Sequence, residues 1–203
     1  MLRRNLNIGS LKKVLPMVDK NDSPDKPSLS DLGIFLFSGE VDTDLTNDAI
    51  SFILESNYEK NRENLTLIVN SEGGYVNSGF GLISIMEGSS IPIYTVGLGM
   101  IASMGLNIFI AGHKGTRTLT PNTLIISHQW SGGRVGKEHE LIASQKRDNI
   151  ISEMILKHYR KYTGLSEKNI KKYLLPPSDV YLTAHEALKL GICDIVKEFD
   201  GRV

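Results

Sequence analysis

LTLIVNSEGGYVNSGFGLISIMEGSSIPIYTV, residues 65–96, contains the pattern that decides the fold. Its first five residues, Leu65–Val69, are an apolar run typical of a buried strand, and a polar, glycine-rich turn follows at 70–74. A helix face is predicted next, because apolar residues recur at helical spacing at Val76, Phe80, Ile83 and Met86. Ile91–Val96 is again strand-like, so the stretch predicts a strand, a helix and a strand in succession.

The same alternation continues on both sides of this stretch. Upstream, Ile34–Phe37 predicts a short buried strand, and apolar residues from Leu45 to Leu54 predict a helix. Downstream, Ser103 opens another helix. Alternating elements indicate an α/β fold of repeated β-α units around a mostly parallel sheet, whose sites form where the strands end.

A long amphipathic stretch at 137–162 predicts a single helix that ends at Gly164. At about 1.5 Å per residue it would span roughly 40 Å. Such a helix should overhang a domain of this size, and its apolar side would need a partner subunit to cover it. We therefore expect an oligomer, with contacts drawn from Leu141, Ile142, Ile151, Met154, Ile155 and Tyr162.

Composition excludes several classes of partner. The 203 residues carry 23 basic and 23 acidic side chains, so no basic field is available for nucleic acid. No apolar run is long enough for a membrane span, and Cys193, the only cysteine, is expected to be a small buried residue of a terminal strand. We expect a soluble protein in a reducing compartment.

The chain divides into an N-terminal segment, 1–33, and one domain, 34–203. Residues 1–14 are basic without an acid, which is typical of a removable leader or a disordered end. The polar, proline-containing tract at 19–33 predicts a mobile loop or linker. We expect a cytoplasmic protein, or one in an organelle lumen if 1–14 is a transit peptide.

Ser103 is a candidate nucleophile, because Ile101–Gly105 contains half of the Gly-x-Ser-x-Gly signature of a strand-to-helix elbow. A serine hydroxyl needs a base and oxyanion donors before it attacks. The simpler interpretation is that Ser103 only caps the helix.

His128 is the candidate base among five histidines. It closes an apolar run and precedes a loop that contains Gly132, Gly133 and Gly136. The alternative is a histidine satisfied in the core. The other four histidines have simpler interpretations. His113 is expected in a loop, His139 and His158 at polar helix positions, and His185 inside a capping box. None has the paired spacing of a metal site.

Asp179, just before the strand-like Val180–Leu182, is the candidate group that orients the imidazole. The oxyanion donors would be the backbone amides of Met104 and Gly74. Alternatively Asp179 is a plain loop residue, Gly74 a common turn and Met104 a packing residue.

Five blocks taken together resemble the ClpP family of self-compartmentalising serine peptidases, over about 34–196. Their joint order and spacing is far more specific than any single block. The blocks are Asn70-Ser-Glu-Gly-Gly74, Ala102-Ser-Met-Gly105, Ala111-Gly-His-Lys-Gly115, Leu119-Thr-Pro-Asn122 and His128-Gln129. The segment 179–183 resembles the part of that family that holds its third triad member.

The resemblance implies a Ser103, His128 and Asp179 triad with the Gly74 and Met104 amides as the oxyanion hole, and no cofactor. It also implies that Gly73, Gly132 and Gly133 bind an extended peptide through the main chain. The helix at about 137–163 would be the handle that joins two heptameric rings, and an ATP-driven AAA+ unfoldase would be a partner.

Several residues depart from that family's pattern. Glu72 and Trp130 stand where prolines are usual, and Ser178 replaces an arginine that pairs across the ring interface. Thr66 and Ile68 replace aromatic residues of the unfoldase clefts, which indicates weaker docking. The segment from Leu15–Val18, which resembles the mature start, to Ile34 is short.

Two other functions compete with an active peptidase. The departures at Glu72, Trp130 and Ser178 would fit a non-catalytic subunit of a mixed ring, although all three triad residue types are present. A crotonase-like acyl-CoA enzyme would share the β-α architecture and a two-amide oxyanion hole, but the sequence lacks a suitable pair of glutamates near Gly74 and Met104.

Overall fold

One mixed sheet of seven strands organises residues 26–199, the part of the chain that the computed structural model describes. The strands are β1 Ile34–Val41, β2 Leu65–Gly74, β3 Ile93–Ala102, β4 Thr118–Leu119, β5 Leu124–Ser127, β6 Val180–Thr183 and β7 Ile195–Val196. Their order in the sheet is β1-β2-β3-β4-β7, with β5 beside β3 and β6 beside β5. All pairs are parallel except β5 with β6.

A helix follows each of β1, β2 and β3, and three more helices follow β5 and β6, so the predicted α/β fold of β-α units is confirmed. A short 3₁₀ turn at Ser30–Leu32 precedes β1. The helices are α1 Thr43–Glu59, α2 Val76–Gly88, α3 Ser103–Ile110, α4 Glu138–Thr163, α5 Glu167–Tyr173 and α6 Ala184–Lys189. The leader at 1–14, the segment at 15–18 and residues 19–25 of the polar tract lie outside the described residues.

The sequence placed the ends of β2 and β3 too early. Glycines and polar residues that predict a turn at 70–74 instead continue the β2 ladder past an irregularity between Val69 and Ser71. Asn70 makes this possible, because its Oδ1 accepts the Met100 N–H at 3.1 Å across the irregular pair. Both strands therefore reach the sheet edge where Ser103 begins α3.

The predicted long helix is confirmed as α4, which begins after Lys137 and ends at Gly164 in the left-handed region, with φ of 73°. Glu140 Oε2 accepts the Lys137 N–H at 2.9 Å and so caps the first turn. No residue of its first ten is buried, whereas Asp148, Ile155, His158 and Tyr159 are. The N-terminal part of α4 thus projects from the domain.

Leu141, Ile142, Ile150 and Met154 leave apolar surface exposed along α4. Three other residues of the predicted stripe pack on the domain's own core instead of awaiting a partner, namely Ile151, Ile155 and Tyr162. Within residues 26–199 no helix is both long enough and apolar enough to cross a bilayer. Cys193 is buried as predicted, but it precedes β7 rather than lying in it. Burial raises the pKa of its thiol to about 11.

His158 is a core residue and not the polar helix position that the sequence predicts. Its ring lies between Phe80 and Tyr162, with ring centroids 5.6 Å and 4.7 Å away. Its Nε2 is 2.8 Å from the Asn107 carbonyl oxygen, so Nε2 carries the proton and donates it. Burial lowers the pKa of His158 to about 4, which keeps the ring neutral near neutral pH.

We expect buried His158 to make the fold sensitive to acid. In the unfolded chain this ring is protonated below about pH 6.5, whereas in the folded protein it stays neutral until about pH 4. The stabilisation is therefore complete above the unfolded pKa and is lost as the pH falls between these values. At about 1.4 kcal/mol per pKa unit, the loss is on the order of 3 kcal/mol.

Urea unfolding at about pH 7.5 and about pH 4.5 checks this expectation. Wild type should lose more unfolding free energy than His158→Gln, which keeps an N–H donor. Glu87 and Lys161 lie near this ring and stay unchanged in both proteins. The exposed His139→Gln serves as the matched control. Equal losses in wild type and His158→Gln would contradict the expectation.

Candidate active site

The ladder register brings three predicted residues to one edge of the sheet. In the β3–β5 pair Ala102 lies opposite Ile126, and in the antiparallel β5–β6 pair Ser127 lies opposite Val180. Ser103 follows β3, His128 follows β5 and Asp179 precedes β6. Each of the three side chains therefore lies one residue beyond an end of its strand.

Ser103 sits in a strained backbone conformation at the start of α3. Its φ is +52°, in the left-handed region that L residues rarely adopt, and within 26–199 Lys60 is the only other non-glycine residue with positive φ. Such strain costs on the order of 1–3 kcal/mol and is typical of functional sites. The N-cap position belongs to Ala102, so Ser103 is not the plain helix cap of the simpler interpretation.

Gly73 makes this tight turn possible. A Cβ added at Gly73 would lie 2.6 Å from the Ser103 Cβ and 2.9 Å from the Met104 nitrogen. Its φ of +97° also favours glycine. The β2 backbone therefore passes directly against the peptide that joins Ser103 to Met104.

Met104 follows Ser103 in the first turn of α3, and Gly74 follows Gly73 as the last residue of β2. Tyr75 donates its N–H to the Val41 carbonyl at 2.7 Å, toward β1. A Cβ added at Gly74 would lie 2.5 Å from the Val41 oxygen, so Gly74 packs closely on β1, and a role for its N–H beside Ser103 stays a prediction. Gly73 donates its own N–H to the Ser71 Oγ at 3.1 Å, so that amide is already engaged.

His128 and Asp179 face each other through the correct ring nitrogen. The Nδ1 of His128 is 3.5 Å from Oδ1 of Asp179, and their side chains are 34% and 53% exposed. An acceptor beside Nδ1 favours the tautomer that carries its proton on Nδ1 and leaves Nε2 unprotonated. His128 is thus a partly exposed residue at a strand end, while the core histidine is His158.

Ser103 and His128 line one small cavity of about 20 Å³. Its other walls come from α2, α3, α4 and the loop after β5, namely Val76, Met104, Asn107, Trp130 and Ile155. Among the hydrogen bonds between described residues, the Ser103 hydroxyl has no partner, and none joins it to the His128 imidazole. Catalytic hydrogen bonds are often completed only when substrate binds.

The loop after His128 lies on α4 through two contacts. Trp130 Nε1 donates to the Ser152 Oγ at 2.9 Å, and Arg134 pairs with the buried carboxylate of Asp148. Gly132 and Gly133 are exposed between these contacts, and residues 131–136 form no strand of their own. Their predicted pairing with a peptide stays a prediction.

Sequence reasoning did not identify Asn107 or assign a contact to Trp130. Asn107 Nδ2 donates to the Ser103 carbonyl at 2.9 Å, which ties the first turn of α3 together. The available signal was a single amide in an otherwise apolar helix. Within residues 26–199 no group of three or more His, Cys, Asp or Glu side chains could hold a metal ion.

Comparison with known proteins gives one consistent result. Residues 25–199 match the family model described as Clp protease. The chain is also similar to the ATP-dependent Clp protease proteolytic subunit 2 of Thermobifida fusca (strain YX). The two are 31% identical over 163 residues, which is 80% of this chain and 79% of that protein.

We expect Gly73→Ala to disrupt the site, because the new methyl group would collide with Ser103 and the Met104 amide. Peptidase activity should fall by roughly 100-fold or more, as expected when catalytic groups are misplaced by about 1 Å. Gly81→Ala is the matched control, since a Cβ there meets nothing within 4 Å. Wild-type activity of purified, folded Gly73→Ala would contradict the expectation.

Proposed function

The chain belongs to the Clp protease family and is a serine-type endopeptidase, and on that premise we propose that Ser103, His128 and Asp179 are its catalytic triad. The observation that carries the proposal is the cavity shared by the strained Ser103 and His128, with Asp179 behind the ring. Ser103 would act as nucleophile, His128 as general base and Asp179 as the group that orients the imidazole.

In the acylation step, His128 Nε2 takes the Ser103 hydroxyl proton while Oγ attacks the substrate carbonyl. The carbonyl oxygen becomes an oxyanion, which the Gly74 and Met104 amides would stabilise at the start of α3. Collapse of this intermediate breaks the peptide C–N bond. The imidazolium returns its proton to the leaving amine, so an acyl ester on Ser103 and a free amine remain.

Deacylation repeats the same transfers with water. His128 removes a proton from the water as it attacks the ester carbonyl, and then protonates Ser103 Oγ as the acid product leaves. Asp179 stabilises the imidazolium in both steps without taking its proton. We propose unfolded proteins and short peptides as substrates, with the main chains of Gly73, Gly132 and Gly133 as binding groups, and no cofactor in this chemistry.

We propose that α4 joins copies of this chain, as a handle between heptameric rings. The support is its projecting first half and the apolar side chains exposed along it. Exposed apolar surface of this kind is costly in an isolated subunit and is covered by association. Ser178 is exposed beside Asp179 and stands where the family usually has an arginine. Its uncharged side chain cannot form the ion pair that this arginine would make.

We further propose an AAA+ unfoldase as partner and the cytoplasm, or an organelle lumen, as location. Thr66 stands where the family often has an aromatic residue, and it is buried in β2 between β1 and β3, so it offers no surface to a docking loop. Weaker docking stays a prediction. A non-catalytic role is not favoured, because the departures at Glu72, Trp130 and Ser178 leave the proposed triad intact.

A fluorophosphonate probe should label Ser103 alone, as peptide mapping by mass spectrometry would show. Ser103→Ala should lower kcat for a fluorogenic peptide by roughly 10⁴-fold or more. Asp179→Asn should lower it by about 10²-fold to 10⁴-fold, since the imidazole loses its orienting carboxylate. Native mass spectrometry should show unchanged assembly for both. Labelling at another residue, or full activity in Ser103→Ala, would refute the triad.

Ile142→Glu should weaken assembly, because it places a charge on the exposed apolar side of α4, where this side chain is 66% exposed. Native mass spectrometry and sedimentation would then show smaller species than wild type at equal concentration. Lys146→Ala, also exposed on α4, is the matched control. An unchanged distribution of species in Ile142→Glu would exclude this side of α4 as the interface.

A further inference from the structure

The cavity at Ser103 is very small for an endopeptidase. Its volume is about 20 Å³, whereas about 10–15 Å³ is needed to hold one water molecule. The substrate side chain next to the attacked carbonyl is the one closest to Ser103 Oγ. This cavity touches both Ser103 and His128, so it is the space that this side chain would enter. It has room for a hydrogen, a methyl or a hydroxymethyl group.

A much larger cavity lies on the other side of Trp130. Its volume is about 590 Å³, and it lies between the loop after β5, α4 and α5. Trp130 and Ile155 line both cavities. The indole, together with Ile155, is therefore the partition between the small catalytic cavity and the large one.

Two contacts hold the indole in this position, and two further interactions fix the groups that make them. Its Nε1 donates to the Ser152 Oγ at 2.9 Å, and Ser152 in turn donates to the Asp148 carbonyl at 2.9 Å on the same helix. On the opposite side, a Cβ added at Gly132 would lie 2.8 Å from the ring carbon Cζ3, so the loop backbone packs on the ring. The Arg134 pair with Asp148 fixes the end of this loop on α4.

We propose that Trp130 is the specificity-determining residue of this peptidase and restricts the residue before the scissile bond to glycine, alanine or serine. The inference rests on the proposed function of Ser103 and His128. A larger side chain such as leucine or phenylalanine would have to displace the indole from the Ser152 hydroxyl and from the Gly132 backbone. Removal of the indole joins the small cavity to the large one.

The test is a series of fluorogenic peptides that differ only in the residue before the cleaved bond. Wild type should have kcat/KM at least about 10-fold higher for alanine than for leucine, the lower end of discrimination by pocket size. Trp130→Ala should raise kcat/KM for leucine by about 10-fold or more and so remove most of the preference for alanine. Trp130→Leu, a milder truncation, should give an intermediate alanine-to-leucine ratio. It keeps the test valid if Trp130→Ala does not fold.

Ser152→Ala tests the anchor, because it removes the indole's hydrogen-bond partner and leaves the ring. It should relax the alanine-to-leucine ratio toward that of Trp130→Leu. Tyr58→Ala, which truncates an aromatic ring that is 90% exposed on α1, should leave the ratio unchanged.

Labelling of Ser103 by peptidyl phosphonates with alanine or leucine next to phosphorus is measured in parallel. It reports the same selectivity should peptide turnover prove slow. Equal wild-type rates with both side chains, or an unchanged ratio in Trp130→Ala and Trp130→Leu, would overturn the role of Trp130 while leaving the triad standing. Failure of every probe to label Ser103 would instead refute the proposed function and this inference with it.

Discussion

The pairing of β5 with both β3 and β6 is the constraint on which the site depends. Parallel pairing with β3, in which Ala102 lies opposite Ile126, brings the end of β5 to the place where Ser103 begins α3, and antiparallel pairing with β6 places Asp179, the residue before Val180, next to His128. A slip of one residue in either ladder would turn the side chain to the opposite face of the sheet. Backbone hydrogen bonds thus align three side chains that are far apart in the chain.

The site also requires β2 to approach α3 closely, and this is possible because Gly73 has no side chain. Gly73 lets the β2 backbone contact the Ser103–Met104 peptide, while Gly79 leaves room for the Met104 side chain under α2. The strained φ of Ser103 persists because α3 is buried almost completely behind it. The packed core therefore maintains a local conformation that the chain would not adopt alone.

Helix α4 connects the proposed interface to the proposed substrate site. Its first half projects and exposes apolar residues, while Asp148 and Ser152 hold the loop that carries Trp130 and Arg134. Ile155, one turn further on, lines the cavity at Ser103. Any shift of α4 on assembly would reach this cavity through those contacts, because a close-packed interior transmits displacement.

By itself the sequence determined the α/β alternation, the extent of α4 with its glycine stop, and the residues that the site brings together. These features depend on local periodicity and on residue chemistry, both of which can be recognised from residues that are close together in the sequence. Only the tertiary structure decided that β2 runs through its glycines, that His158 is buried, and that Trp130 divides two cavities. Each of these results from contacts between residues distant in sequence, such as Asn70 with Met100, and no local pattern encodes such a contact.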